Sequence, residues 1–177
     1  MVQYIMDNPD MPAFAETADE LAAEIFMPME TSAKFKDYTT DPEINPNYIK
    51  PALMQHRLQK IMDEYAGGVS TYYMTSKTML EAGLEYLRMA KQDSFHMGAK
   101  DLHELLRAWE NFHRLIAAEA HARHILYREE TRYPGYYYRG DFLAIDDEKW
   151  KCFTCSTYDK NTQEFNVFKR DYHQIVD

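Results

Sequence analysis

The residues able to hold a metal or move a proton are few and unevenly placed in this chain of 177 residues, which has seven histidines and two cysteines. The densest group lies between residues 110 and 124. Glu110 and His113 stand three apart, which on a helix puts a carboxylate and an imidazole on one face, and His121 and His124 follow. A di-iron bundle needs two such Glu-x-x-His pairs and further inward glutamates; the chain has one pair. A metal-binding helical bundle using Glu110, His113, His121 and His124 is therefore the alternative reading, and packed or solvated histidines are the plain one. Cys152 and Cys155 form a Cys-x-x-Cys motif. Zinc would need two more ligands, and a redox pair favours a helix N-terminus, where the dipole lowers a thiol pKa. This pair falls in a strand-like run with no second motif, so we expect two small residues of a hairpin. The six glycines form neither a dinucleotide fingerprint nor a phosphate loop, and no Gly-x-Ser-x-Gly elbow occurs.

The richest segment spans residues 128–142. It carries Arg128, Arg132 and Arg139, the acids Glu129, Glu130 and Asp141, and the rings of Tyr133, Tyr136, Tyr137, Tyr138 and Phe142. Arginine forks and tyrosine hydroxyls combine apolar area with directed hydrogen bonds, as a specific docking surface requires. Arg128, Glu130, Arg132, Tyr136, Arg139 and Asp141 are the candidate docking residues. A loop whose charges pair with one another is the equal alternative.

Composition narrows what these residues can serve. With 45% hydrophobic and 28% charged residues the chain can bury a core without a metal or disulfide, and its length suits one compact domain. A net charge of -9 repels phosphate backbones and anionic lipids, which argues against nucleic-acid binding. No apolar run reaches the roughly 18 residues of a membrane span, so no membrane insertion is expected. The N-terminus lacks a signal-peptide pattern, and two cysteines fit a reducing compartment, so a cytoplasmic location is expected.

Proline sets the division into elements, with six of the seven at or before Pro51. Residues 1–50 read as an irregular arm with one short helix, opened by a capping box at Thr17 and Glu20 and closed before Pro28. Asp41, Pro42, Asn45 and Pro46 mark a turn-rich connector. Residues 51–132 read as an antiparallel three-helix bundle. Its first helix opens on Pro51 and shows Met54, Leu58, Ile61 and Tyr65 on one face before Gly67 and Gly68. A second, capped by Ser76 or Thr78, runs through Leu80, Leu84 and Leu87 to about Met97, with Gly98 as its stop. The third opens on the Asp101/Glu104 capping box, and its stripe reads Leu102, Leu105, Trp109, Phe112, Ile116, Ala120, His124 and Tyr127. Residues 133–177 read as a loop and a β-hairpin packed on the bundle, with strands over 150–158 and 164–169 and a polar turn between them. The fold expected is mainly α.

The residues Arg128-x-Glu130-Thr131-Arg132, then Arg139-x-Asp141-Phe142, then Asp146-Asp147 and Trp150, resemble the end of the helical domain in the succinate dehydrogenase and fumarate reductase flavoprotein family. Residues 61–65, 69–73, 100–107 and 128–139, with the approach from Asp41-Pro42 to Tyr48-Ile49-Lys50-Pro51, narrow the resemblance to its adenylylsulfate (APS) reductase alpha subunits. The resemblance implies a subunit several times longer, with an FAD-binding domain and a capping domain ahead of this region and an iron–sulfur beta subunit as partner. It implies reduction of APS to sulfite and AMP, or the reverse. The flavin and substrate residues of that family lie mainly outside this region. The chain is therefore expected to contain no catalytic or cofactor-binding residue and to support its own flavin domain.

Overall fold

The computed structural model describes residues 16–35 and 47–173. The turn-rich connector at residues 41–46 lies outside them. Four longer helices and a hairpin dominate: α1 (Ala18–Phe35), α2 (Pro51–Tyr65), α3 (Lys77–Ser94), α4 (Leu102–Tyr127), and strands β3 (Cys152–Asp159) and β4 (Glu164–Asp171). Two shorter strands, β1 (Met74–Thr75) and β2 (Tyr138–Arg139), a 3-10 turn (Val69–Thr71) and one turn of α-helix, α5 (Asp147–Trp150), complete it.

The helix starts follow from their caps. The Glu20 amide donates to Thr17 Oγ1 at 3.3 Å while the Thr17 amide donates to Glu20 Oε2 at 2.8 Å, a reciprocal capping box. The Glu104 amide donates to Asp101 Oδ1 at 2.9 Å, and the Met79 amide donates to Ser76 Oγ at 3.4 Å. α3 ends at Ser94, three residues short of Met97.

α1 departs from expectation, because it runs through Pro28 rather than stopping before it. A proline inside a helix disturbs the carbonyls of the preceding turn. Here the rest of the chain supplies donors: Trp109 Nε1 donates to the Ile25 carbonyl at 2.9 Å, and the Ala99 amide donates to the Pro28 carbonyl at 2.8 Å. The ladder bond that Pro28 cannot make is the one to the Glu24 carbonyl, so these tertiary bonds hold the turn around the proline and do not replace the missing one.

The core lies between α2, α3 and α4: Met54 and Leu58 face Leu80, Leu87 and Ala90, and both meet Leu105, Ala108, Leu115, Ala118, Ala122 and Ile125. The α4 face is rotated from the expected stripe. Leu102 is 67% exposed and Trp109 and Ile116 lie on the flank, whereas three alanines line the buried centre. Small residues let neighbouring helices approach, so size, not hydropathy, selects the face. Gly83 does the same on α3, since a Cβ there would stand 2.6 Å from Tyr65 Cβ. Across α3 and α4, the buried Glu119 accepts from Lys91 and from Arg123, each at 2.8 Å.

β3 and β4 pair antiparallel from Cys152↔Asp171 to Asp159↔Glu164. The ribbon packs on the bundle, with Arg123 over the Phe165 ring and Lys91 over the Tyr158 ring. β1 and β2 pair in parallel, Met74 with Tyr138 and Thr75 with Arg139, which ties the α2–α3 connection to the segment leaving α4. Two-residue strands carry no periodicity, so their pairing is invisible in the sequence.

Candidate functional site

The segment leaving α4 folds back beneath itself, and Arg139 is its keystone. The side chain is buried. Its Nη1 donates to the carbonyls of Ile125, Leu126 and Arg128, the last at 3.0 Å, so it caps the C-terminal end of α4, where orphan carbonyls and the negative dipole end gather. Its Nε and Nη2 fork onto Asp141 at 2.9 and 2.8 Å. Asp141 Oδ2 in turn accepts from the amide of Lys77, the first residue of α3, at 3.0 Å. One ion pair therefore joins the negative end of α4 to the positive end of α3. These bonds hold the Asp141 carboxyl below its usual range, Arg139 first and the Lys77 amide after it.

Glu130 is the second centre. It is fully buried and accepts from Arg128, from Arg132 Nε at 2.7 Å and Nη2 at 2.9 Å, and from the Asp146 amide at 3.0 Å. Desolvation pushes its carboxyl up, and these bonds more than reverse the shift, leaving it below the usual range. Arg132 also reaches Asp147 at 2.9 Å, and Arg128 donates to the carbonyls of Trp150 at 2.9 Å and Cys152 at 2.7 Å. The buried Trp150 is ringed by cations, with Lys169 Nζ 3.8 Å from the ring centre. Thr131, also buried, accepts from the Arg139 amide at 3.0 Å and donates to the Phe142 carbonyl at 2.8 Å.

The six expected docking residues thus lie in one corner but not on one surface. Glu130 and Arg139 are inside the chain, and Arg128, Arg132 and Asp141 are half-buried among internal partners. Tyr136 alone of the six projects freely, 84% exposed. Two network members, Thr131 and Asp147, belong to the motif that carries the family resemblance but were not among the candidate docking residues. The motif marked both positions, but its spacing does not show that either bonds within the corner.

Beside the corner lies a cavity of about 580 Å³, walled by His124, Ile125, Arg128, Arg132, Trp150 and residues at the start of β3. His124 is held below the usual imidazole range, by desolvation first and the Arg128 guanidinium second.

The metal reading finds no assembled ligand set: among the described residues no three His, Cys, Asp or Glu side chains converge on a cation site. Glu110 faces Arg114 at 3.3 Å, and His113 lies against Trp109 with ring centres 5.9 Å apart. Cys152 and Cys155 are both free and stand three apart on β3, hence on opposite faces of the ribbon. No described helix is long and apolar enough to cross a membrane.

An antiparallel helical bundle with a ribbon on its flank and a charge-locked corner at the ends of two helices defines a mainly helical domain. The chain belongs to the fumarate reductase flavoprotein C-terminal family, whose model matches residues 55–175. It is 50% identical over 177 residues to the adenylylsulfate reductase subunit alpha of Megalodesulfovibrio gigas, across 99% of this chain and 27% of that protein. The structure of adenylylsulfate reductase from the hyperthermophilic Archaeoglobus fulgidus superposes with a TM-score of 0.93 at 46% identity, over 99% of this chain and 28% of that one. Mycobacterium smegmatis Sdh1 shares the fold, with a TM-score of 0.68 at 16% identity over 97% of this chain and 26% of that one. The chain therefore spans little more than a quarter of the relatives it matches.

Proposed function

We propose that this chain is the C-terminal helical portion of an FAD-dependent, cytoplasmic adenylylsulfate reductase alpha subunit, and that it acts as a support. The reaction, APS and two electrons to sulfite and AMP or its reverse, belongs to the rest of the subunit, which carries the FAD, and to an iron–sulfur beta subunit. The observation that carries this reading is the 50% identity maintained over almost the whole chain. In this reading residues 51–132 form the bundle and residues 133–177 an extension packed on it. Catalysis needs groups preorganised around reacting atoms, whereas the polar groups of this corner are engaged with one another and with helix ends. Arg128, Glu130, Arg132, Arg139 and Asp141 hold the docking corner in shape, and Tyr136 is its forward contact.

The reading is tested by the coding sequence upstream of Met1 and by the protein it encodes. We expect an in-frame FAD-binding sequence, and FAD with APS-reducing activity in the complete subunit joined to its iron–sulfur partner. Stoichiometric FAD on the 177-residue chain alone would overturn the support role.

A further inference from the structure

α1 is the element that the rest of the described structure supports least. It is 18 residues long, and Pro28 is its one buried residue. A helix of this length is stable in water mainly through the packing of one face, and a proline in its interior weakens it further. Its anchorage to the bundle is narrow: the Trp109 indole and the Ala99 amide bond the turn around Pro28, and Lys160 pairs with Glu16 at 3.2 Å ahead of the first turn. Beside those contacts the helix shows an apolar face. Ile25 and Phe26 are 43% and 44% exposed, and Ala22 and Ala18, one and two turns before them, are exposed as well.

Charge states the chemistry of whatever covers that face. From Asn47 to His173 the chain carries as many lysines and arginines as aspartates and glutamates, whereas the segment from Glu16 to Phe35 sets Glu16, Asp19, Glu20, Glu24 and Glu30 against Lys34. The acidity of the described structure is concentrated in this one helix. Asp19 and Glu20 suit its positive end; Glu24 and Glu30 lie beyond it. Asp19, Phe26 and Glu30 follow at spacings of seven and four, so two exposed carboxylates border the exposed ring. Among the described residues the acids of this segment make one ion pair, Glu16 with Lys160. A second copy docked through the same face would set acids against acids. An apolar groove with lysine or arginine at its rim satisfies both the rings and the carboxylates, as when an amphipathic helix is laid in a groove.

We propose that the face of α1 bearing Ile25 and Phe26 packs into an apolar groove, rimmed by basic side chains, on the flavin-bearing part of the same subunit. Ile25 and Phe26 fill the groove, and Asp19 and Glu30 meet its cations. The chain spans 27% of the Megalodesulfovibrio gigas subunit, so a subunit of that length has ample surface to provide the groove. A covalently joined surface also competes for α1 at a higher effective concentration than a separate subunit does. This inference rests on the proposed place of the chain in a longer subunit, and adds to it the contacting helix and the chemistry of its seat.

The experiment uses the complete subunit with its iron–sulfur partner. The photoreactive p-benzoyl-L-phenylalanine is placed at Phe26, the protein is irradiated, and the joined peptides are identified by mass spectrometry. We expect a cross-link within one polypeptide, from residue 26 to the flavin-bearing part beside a lysine or arginine. The same probe at Ala22, one turn away on the same face, should reach the same region. Glu30→Gln keeps the side-chain length and removes one rim charge. It should speed hydrogen exchange of the α1 amides about two- to fivefold, the range of one exposed ion pair, with a smaller difference at high salt and no change in α2 to α4. Cross-links from both positions to the iron–sulfur subunit, to a second copy or only to residues 47–173 would overturn the inference, and so would their absence. Unchanged exchange in Glu30→Gln would overturn the basic rim. A misplaced cross-link in a protein that keeps its FAD and its activity defeats this inference alone. An upstream sequence without an FAD-binding region defeats the proposed function, and the probe would still identify what lies against α1.

Discussion

At the scale of single residues, the corner shows how far charge can be read without burial. Arginines and acids at residues 128–141 announce a concentrated polar site, but a one-dimensional pattern does not say which of them face inward. The structure divides them. Arg139 and Glu130 are buried because each satisfies several partners at once, which is the condition for placing a charge inside a protein. Tyr136 needs no such partners and stays outside. Arg139→Lys keeps the charge but loses the planar fork that serves three carbonyls and a carboxylate together. A buried acceptor left without its donor costs about 1–3 kcal/mol, so two abandoned acceptors predict a loss of roughly 2–6 kcal/mol. Urea unfolding followed by circular dichroism should show this drop, while Tyr136→Ala, on an exposed ring, should stay within about 0.5 kcal/mol of the parent. Equal, small effects would mean that Arg139 does not hold the end of α4.

At the scale of elements, what was legible had a local signal. The capping boxes at Thr17 and Asp101 open helices where their spacing says they should, and the alternation in residues 164–169 becomes β4. Where a distant partner decides the outcome, local reading fails. Pro28 reads as a stop, yet α1 passes it, and the turn around it is tied to Trp109 and Ala99, far along the chain, which bond the carbonyls of Ile25 and Pro28. The buried face of α4 is similarly chosen by the approach of α2 and α3 to its alanines, which hydropathy alone does not rank. The α1 contact can be tested by itself. Trp109→Phe removes the indole N–H and keeps an aromatic ring on the flank; a typical hydrogen bond contributes about 0.5–1.5 kcal/mol. Amides of α1 should then exchange roughly three- to tenfold faster by hydrogen-exchange mass spectrometry, with α2, α3 and the core of α4 unchanged. Loosening of the whole bundle would instead make Trp109 a member of the main core.

At the scale of the whole molecule, the class of fold was legible because three long periodic segments with short connections leave few arrangements open, whereas the cavity was not, since residues from α4, the returning loop and β3 meet there only once folded. The same three pieces set how stability responds to pH. Glu130 and Asp141 are held below the usual carboxylate range, so between their folded and unfolded values the unfolded chain binds more protons. Their contribution is complete above that range and is lost as pH falls through it. His124, held below 6.5, favours its neutral form in the fold, so its contribution is complete above 6.5 and is lost as pH falls past that value. All three shifts have one sign, and stability should rise with pH. A melting temperature that is level above about pH 7, begins to fall below about 6.5 and falls more steeply below about 4.5 is the expected profile. Glu130→Gln should reduce only the acid limb, which Asp141 still supports, and His124→Phe only the shallow one, which His121, lowered by its burial, still supports. Net charge vanishes near pH 5.2, and if self-repulsion governed the fold the melting temperature would peak there instead. A maximum at that pH would mean that the corner's buried carboxylates contribute less to the folded state than their bonding implies.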